Sequence, residues 1–280
     1  MFDEKILIEK ATGEKEYFDP TKLENSLLRS GANTAIVDEV LEEISKKITP
    51  GMTTKHIYTY AFSLLNKKDK PVAANYSTRR AVMDLGPSGF PFENLIAHMY
   101  MEMGYRTHVG RRIRGKCSEH EVDVLAYNEE EVILIEAKFH NQLGMRTDTK
   151  VALYVRARYE DLENAEIMLE GRKRKMTEGC LFTNTKFTKG AIDYASCAGV
   201  NLVGWNYPAK DNLNDLIEKT NIHPVTSLTS ISKAQKLLLL EQGVVLLKNI
   251  KKNENLLGPL GLSSEKRKKV LDEINQVCND

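Results

Sequence analysis

Long apolar runs, paired cysteines and a strong net charge are all missing from this sequence of 280 residues. No apolar segment approaches the ~18 residues that a transmembrane helix needs, and the charged first ten residues lack the apolar core of a secretory signal. The four cysteines stand apart without a CxxC pair, which argues against a zinc knuckle or a disulfide framework. We therefore expect a protein of the reducing cytoplasm with no membrane partner.

Charge alone does not indicate a nucleic-acid-binding protein, because 40 basic residues face 39 acidic ones. Binding to DNA would have to rest on local basic runs, at Arg111–Arg114, Arg172–Lys175 and Lys266–Lys269. Each run is equally compatible with a solvated surface. The sequence also contains no GxxxxGK[ST] loop, which argues against a nucleotide phosphohydrolase of the P-loop type.

The first 86 residues are predicted to form a β-hairpin followed by four helices. Short strands at Ile6–Ile8 and before Asp19 flank a turn at Thr12–Gly13, and Asp19 is placed to cap a helix that starts at Pro20. Lysines gather at the hairpin and the helix start. They suit a polyphosphate, because the free N–H groups and the dipole of a helix N-terminus add to the side-chain charge.

The string K-x-x-G-x-x-E-x-F-D-x-x-K-L resembles the ATP-cone domain, a regulatory nucleotide-binding module, and the resemblance covers about residues 3–85. It implies that ATP or dATP is bound as a regulatory ligand by Lys10, Gly13, Glu16, Asp19 and Lys22. Where the family often has a second basic residue before the glycine, this sequence has Ala11. The alternative is a degenerate cone retained for packing or oligomerisation.

Residues 90–208 alternate helices and strands and predict a mixed α/β core. We expect helices at 92–103, 149–170 and 188–198, and strands at 105–109, 122–126, 132–138, 180–182 and 201–205. Asp123 lies on one strand, and Glu136 and Lys138 lie on the next, where period-two geometry puts them on one face. Two carboxylates and a lysine among apolar strands suggest a site for Mg²⁺ or Mn²⁺ that activates water against a phosphodiester.

The D…E-x-K arrangement resembles the PD-(D/E)xK nuclease superfamily, and in detail the Mrr-type restriction endonucleases. Four segments match in order, at residues 92–107, 114–126, 133–142 and 181–205. The resemblance implies that Asp123 and Glu136 bind the metal and that Lys138 takes part in catalysis. It also implies a role for Glu93, an acidic residue of the first helix, which either completes the metal shell or pairs with a basic side chain. Gln142, with His140, could reach the scissile phosphate.

The last segment, residues 225–280, carries a net charge of +3 and predicts a small helical domain. Ser232 and Ser263 or Ser264 are placed to cap two helices. The pair is similar to helix-hairpin-helix units, which bind DNA backbones through turn N–H groups. Gly258 and Gly261 lie in the second turn, whereas the first turn has Ser230–Ser232 in place of glycines. The alternative is a protein-interaction or dimerisation tail.

These inferences predict three domains: an ATP cone at residues 1–86, a nuclease domain at 90–208 and a helical domain at 225–280. The predicted activity is that of a metal-dependent DNA endonuclease of the restriction or defence type, regulated by ATP or dATP and working as a homo-oligomer. One alternative is a nucleotide-responsive DNA-binding regulator with a silent nuclease fold. The other is a DNA repair or junction-resolving nuclease.

Overall fold

The computed structural model describes residues 6–10, 13–142 and 144–278, so Ala11 and the predicted turn residue Thr12 lie outside the described part. The chain divides into two compact units. One unit joins Met1–Ala81 to Val225–Asp280, and the other is Val82–Pro224. The first and last segments, predicted as separate domains, therefore share one unit.

The N-terminal segment forms the predicted hairpin and four helices. The elements are β1 (Leu7–Glu9), β2 (Lys15–Tyr17), α1 (Pro20–Arg29), α2 (Thr34–Lys47), α3 (Thr54–Lys68) and α4 (Lys70–Met83). The strands pair antiparallel, and Asp19 accepts a hydrogen bond from the backbone N–H of Thr21 as the cap of α1. Apolar residues at helical spacing, such as Leu27, Ile44 and Leu65, form the core.

The second unit is built on a five-stranded mixed sheet with helices on its faces. Its helices are α5 (Phe90–Glu102), α6 (Thr149–Leu162), α7 (Lys189–Ala198) and α8 (Leu213–Thr220). Its strands are β3 (Arg106–Arg114), β4 (Glu119–Tyr127), β5 (Val132–Lys138), β6 (Arg146–Thr147), β7 (Ile167–Leu169), β8 (Arg172–Arg174), β9 (Glu178–Thr183), β10 (Lys186–Phe187) and β11 (Asn201–Val203). The sheet order is β11-β9-β5-β4-β3, in which β3, β4 and β5 are antiparallel and β5, β9 and β11 are parallel.

The central strand β5 is buried on both faces, which explains its continuous apolar run. Val132 and Leu134 belong to the same core as Val155 and Tyr159 of α6. Ile133 and Ile135, which alternate with them along β5, point to the opposite face of the sheet. Glu136 and Lys138 continue the alternation of Leu134, and this puts both charged residues on the α6 side of the sheet.

The prediction of one long helix at 149–170 is wrong in its second half. Helix α6 ends at Leu162, and β7 and β8 form an antiparallel hairpin beyond it. The hairpin turn is made by Glu170 at φ 50° and Gly171 at φ 78°. Two positive φ angles in a two-residue turn match the twist of the flanking strands, so the second half of the predicted helix is replaced by a hairpin. The basic run at 172–175 lies largely in strand β8.

The C-terminal segment is helical, as predicted, and its two main helices begin after Ser232 and Ser263. The helices are α9 (Lys233–Glu241), α10 (Leu247–Lys252) and α11 (Ser264–Val277), with 3₁₀ turns at Val225–Ser227 and Glu254–Leu260. Buried Glu273 of α11 accepts hydrogen bonds from the backbone N–H groups of Thr229 and Ser230. Within the described residues, no helix has both the length and the apolar character to cross a membrane.

Candidate active site

Three of the predicted site residues, Asp123, Glu136 and Lys138, lie together in a cleft of about 360 Å³ beside α6. Strands β4 and β5 pair as far as Val124 and Ile135, and the next step along both strands brings Asp123 beside Glu136. Lys138 lines the same cleft. The strand register therefore converges two carboxylates and an ammonium group at one point.

Asp123 is held by the neighbouring strand. Its Oδ2 accepts a 2.7 Å hydrogen bond from the backbone N–H of Ala137. Among the described residues no protein donor reaches its Oδ1, which leaves that oxygen available to a ligand. Burial raises the pKa of Asp123, although the N–H of Ala137 and the charge of Arg158 oppose the rise.

Glu136 is 8% exposed and forms an ion pair with Arg158 of α6, whose Nη1 donates to its Oε2 over 2.7 Å. Arg158 also donates to the backbone carbonyl of Glu121. Burial and the nearby charge of Asp123 raise the pKa of Glu136 to about 8, despite the lowering by Arg158. The cleft thus disfavours two ionised carboxylates unless a further cation is present.

Glu93 lies in the first turn of α5 and is half-buried. Burial and the charges of Asp123 and Glu121 raise its pKa to about 7. The charge of Glu93 in turn disfavours ionisation of Glu136. No ion pair joins Glu93 to a basic residue within the described part, so the structure offers no support for the alternative of a basic partner.

Gln142 and His140 differ in their surroundings. Gln142 is exposed in the loop after β5 and does not line the cleft, so the structure does not bring it to the predicted site. The Nε2 of His140 lies 3.0 Å from the Oγ1 of Thr147, and that hydroxyl donates to Thr183. Because Thr183 pairs in register with Lys138, these contacts anchor the end of the E-x-K strand.

Three residues at or beside the cleft were not identified from the sequence, and all three belong to α6. Lys150 and Tyr154 line the cleft, and Arg158 binds Glu136. They follow one another at four-residue spacing, which puts them along one side of a helix. That spacing was visible in the sequence, but the packing of α6 against β5 was not.

Comparisons with known proteins agree with this architecture. Family models match an ATP cone domain at residues 6–84, a restriction endonuclease domain (Mrr_cat) at 87–206 and an AF1548-like C-terminal domain at 223–278. An uncharacterized protein of Archaeoglobus fulgidus is 35% identical over 183 residues, which are 65% of this chain and 99% of the relative. The chain belongs to the AF1548-like family.

Solved structures add to the comparison of this AF1548-like chain. The crystal structure of AF1548, a protein of unknown function, has 34% sequence identity and a TM-score of 0.55, and the match covers 68% of this chain and 98% of that one. The MspJI restriction endonuclease in complex with a 27-mer oligonucleotide has 16% identity and a TM-score of 0.33, over 53% of this chain and 31% of that one. The prediction of an ATP cone, a restriction-endonuclease-like domain and a helical C-terminal domain is confirmed.

The ATP cone of this AF1548-like chain brings its predicted nucleotide residues together at the hairpin. Glu16 pairs with both Lys10 and Lys22, at 3.1 and 3.3 Å. Lys10 also pairs with Glu14, and these carboxylates raise its pKa. Gly13 has a φ of 82°, which suits its place in the turn. Asp19 caps α1 beside this cluster, so the structure places a polar patch at a helix N-terminus.

The basic runs of the AF1548-like chain have acidic or carbonyl partners in part. In the first run, Arg112 lies 3.6 Å from Glu119, and Arg111 donates to the carbonyl of Met168. In the second run, Lys173 pairs with Glu166. On α11, by contrast, Lys266, Lys268 and Lys269 have no ion pair within the described residues. The α11 run therefore presents the least neutralised positive charge of the three.

Proposed function

We propose that the protein is a Mg²⁺-dependent DNA endonuclease of the restriction or defence type, and that ATP or dATP bound to its cone regulates cleavage. The observation that carries the proposal is the convergence of Asp123, Glu136 and Lys138 in one cleft of a restriction-endonuclease-like domain. Hydrolysis of a phosphodiester needs stabilisation of negative charge and a positioned water, and this set of side chains suits both needs.

The donor set of the cleft fits a divalent cation. No group of three or more His, Cys, Asp or Glu side chains in the described ranges is arranged to hold a metal ion. Mg²⁺, however, is usually held by one or two carboxylates, and water and substrate phosphate complete its shell. Asp123 and Glu136 supply two oxygen donors in a place where burial and their mutual repulsion raise the pKa of Glu136. A cation there relieves that repulsion; Mn²⁺ shares this oxygen preference.

The residues of the cleft divide the work of hydrolysis. Asp123 and Glu136 would hold the metal, and the metal when bound supplies Lewis-acid polarisation of the phosphate and a more acidic water. Lys138 is exposed in the cleft, so its ammonium can donate to the attacking water or to a phosphate oxygen. Arg158 fixes the rotamer of Glu136. Glu93, with a pKa of about 7, can take up a proton near the carboxylates.

The nucleotide proposal rests on Lys10, Glu16 and Lys22. The two lysines share one carboxylate, so a bound triphosphate can take over their hydrogen bonds. The exposed N-terminus of α1 adds its dipole. When the nucleotide binds, the two lysines would exchange Glu16 for phosphate. This local rearrangement of ion pairs is a change through which nucleotide binding can regulate cleavage.

Incubation of the purified full chain with plasmid DNA tests this function. Plasmid nicking or linearisation should require Mg²⁺ or Mn²⁺, and addition of ATP or dATP should change its rate. A full chain that binds plasmid but never cuts it with either metal would support the regulator with a silent nuclease fold. Preferential cutting of branched DNA would support the repair or junction-resolving nuclease.

A further inference from the structure

The wall of the catalytic cleft carries an exposed aromatic side chain that the proposed chemistry does not use. Tyr154 of α6 lines the cleft together with Glu136 and Lys138, and it is 61% exposed. Leu153 and Met145 are each about half exposed. An aromatic ring that is open to solvent on the wall of a charged cleft is available to a ligand that has an apolar face.

Arg158, which pairs with Glu136 of the catalytic site, contacts one face of the Tyr154 ring. The guanidinium carbon of Arg158 lies 5.6 Å from the centre of the tyrosine ring, within the range of a cation–π contact. Arg158 is itself fixed by Glu136 and by the carbonyl of Glu121. The ring therefore has one face towards a buried cation, and the helix and this contact restrict its orientation.

The chemistry around the ring specifies the class of ligand. Lys150 lines the cleft one helical turn before Tyr154, and Lys138 lies in the same cleft. Two ammonium groups suit phosphates, whereas a flat aromatic ring suits a flat aromatic partner. A nucleotide unit has both parts. A nucleobase inside an intact duplex has both faces covered by its neighbours, so only an unstacked base can present a face to Tyr154.

We propose that Tyr154 forms a stacking subsite for an unpaired nucleobase next to the scissile phosphate, with Lys150 on the adjoining backbone. The inference rests on the proposed nuclease function and deepens it, because it names the form of DNA that the site accepts. Single strands, flaps and gaps expose such a base, so they should bind at this site more tightly than an unbroken duplex.

A thermodynamic cycle in which the protein and the DNA are varied together tests the subsite. Binding of a short labelled single strand is measured by fluorescence anisotropy in EDTA, so the strand stays intact. Base–aromatic stacking is worth about 1–3 kcal/mol, so Tyr154→Ala should weaken binding about 5- to 150-fold. Tyr154→Phe should bind within about twofold of the wild type, since it keeps the ring. Leu153→Ala, a neighbour on α6 that does not line the cleft, is the matched control and should not change affinity.

An abasic position moved along the strand completes the cycle. At one position in the strand, loss of the base should weaken binding to the wild type as much as Tyr154→Ala does. The same abasic strand should bind to Tyr154→Ala no more weakly than the intact strand does. Additive losses at every position, equal loss on an intact duplex or failure of Tyr154→Phe to restore binding would overturn the subsite. The subsite would also be overturned if light scattering showed that Tyr154→Ala dissociates an oligomer, because Tyr154 would then contact a second copy of the chain.

The outcomes also separate this inference from the nuclease proposal. If Tyr154→Ala and the abasic position prove to be coupled as expected but plasmid is never cut, the base subsite stands and the nuclease function fails. If plasmid is cut but Tyr154 and the abasic position are independent, the subsite fails and the nuclease function stands.

Discussion

Glu136 and Arg158 form an ion pair with both side chains about nine-tenths buried, at 2.7 Å between Oε2 and Nη1. The guanidinium lies against a carboxylate that would hold the metal and also contacts the ring of Tyr154. Arg158 thus joins the predicted catalytic strand to the cleft wall on α6. Removal of one partner from a buried pair leaves a charge without compensation, which is more costly than loss of an exposed pair.

At pH 9, above the folded pKa of about 8, Arg158→Ala should lower the free energy of unfolding by about 3 kcal/mol, because the ionised Glu136 loses its buried counter-charge. Urea unfolding of the full chain measures this. The matched control is Arg156→Ala on the same helix. Arg156 pairs with Glu160 in a partly exposed place, where loss of the pair costs about 0.5 kcal/mol. Equal losses in the two variants would show that the buried pair does not contribute as described.

The raised pKa of Glu136 predicts how stability changes with pH. Its ordinary value of 4.5 applies to the unfolded chain, whereas the folded value is about 8. Between these values the folded state binds more protons, so this group's contribution is full below pH 4.5 and is lost as the pH rises towards 8. The charges that act on Glu136 are Asp123, Arg158 and Glu93.

Unfolding in EDTA between pH 5 and pH 9 measures that loss, with Glu136→Gln as the comparison because it does not titrate. Mg²⁺ should stabilise the wild type more at the alkaline end, where the carboxylates are ionised. The same pH slope in Glu136→Gln and wild type would assign the loss to other groups.

The cone should lose nucleotide affinity when a lysine of its hairpin cluster is removed. Lys22→Ala should bind ATP or dATP roughly tenfold more weakly, since one charge-assisted hydrogen bond to phosphate is worth at least about 1.4 kcal/mol. Lys15→Ala is the matched control, because Lys15 is exposed on the same hairpin and makes no ion pair in the described part. Calorimetry that finds no nucleotide binding by the wild type would leave the cone a structural role only.

The C-terminal segment is tested better by charge changes than by deletion. It belongs to the same compact unit as the cone, so its deletion would disturb that unit. Replacement of Lys266, Lys268 and Lys269 by Gln should flatten the salt dependence of DNA binding, by about 0.9 in the logarithmic slope for each lysine that contacts phosphate. An unchanged slope with a changed size in light scattering would identify an assembly surface.

Much of the fold could be predicted from the sequence because the signals are local. The hairpin and cap at Asp19 follow from turn and capping residues, and β5 follows from its apolar run and the alternation of Glu136 and Lys138. The end of α6 was missed because the two-residue turn at Glu170–Gly171, which joins β7 and β8, was not recognised in the sequence.

The remaining features depend on partners far apart in the chain. Arg158 becomes part of the site only because α6 packs against β5, and Glu273 is buried only because Thr229 and Ser230 donate to it. Those same contacts occupy backbone N–H groups of the first C-terminal turn, the one that has serines in place of the expected glycines. Such pairings have no signature in spacing or composition.

The most direct test of the central claim is the rate of Mg²⁺-dependent plasmid cleavage by Lys138→Ala. Lys138 is exposed in the cleft, so the variant should fold like the wild type and keep most of its affinity for DNA. Loss of one preorganised donor at the reacting phosphate should slow cleavage about 100-fold or more. Lys189→Ala, a change at an exposed lysine of α7, should cut at the wild-type rate. Cleavage by Lys138→Ala at the wild-type rate would contradict this assignment of the active site.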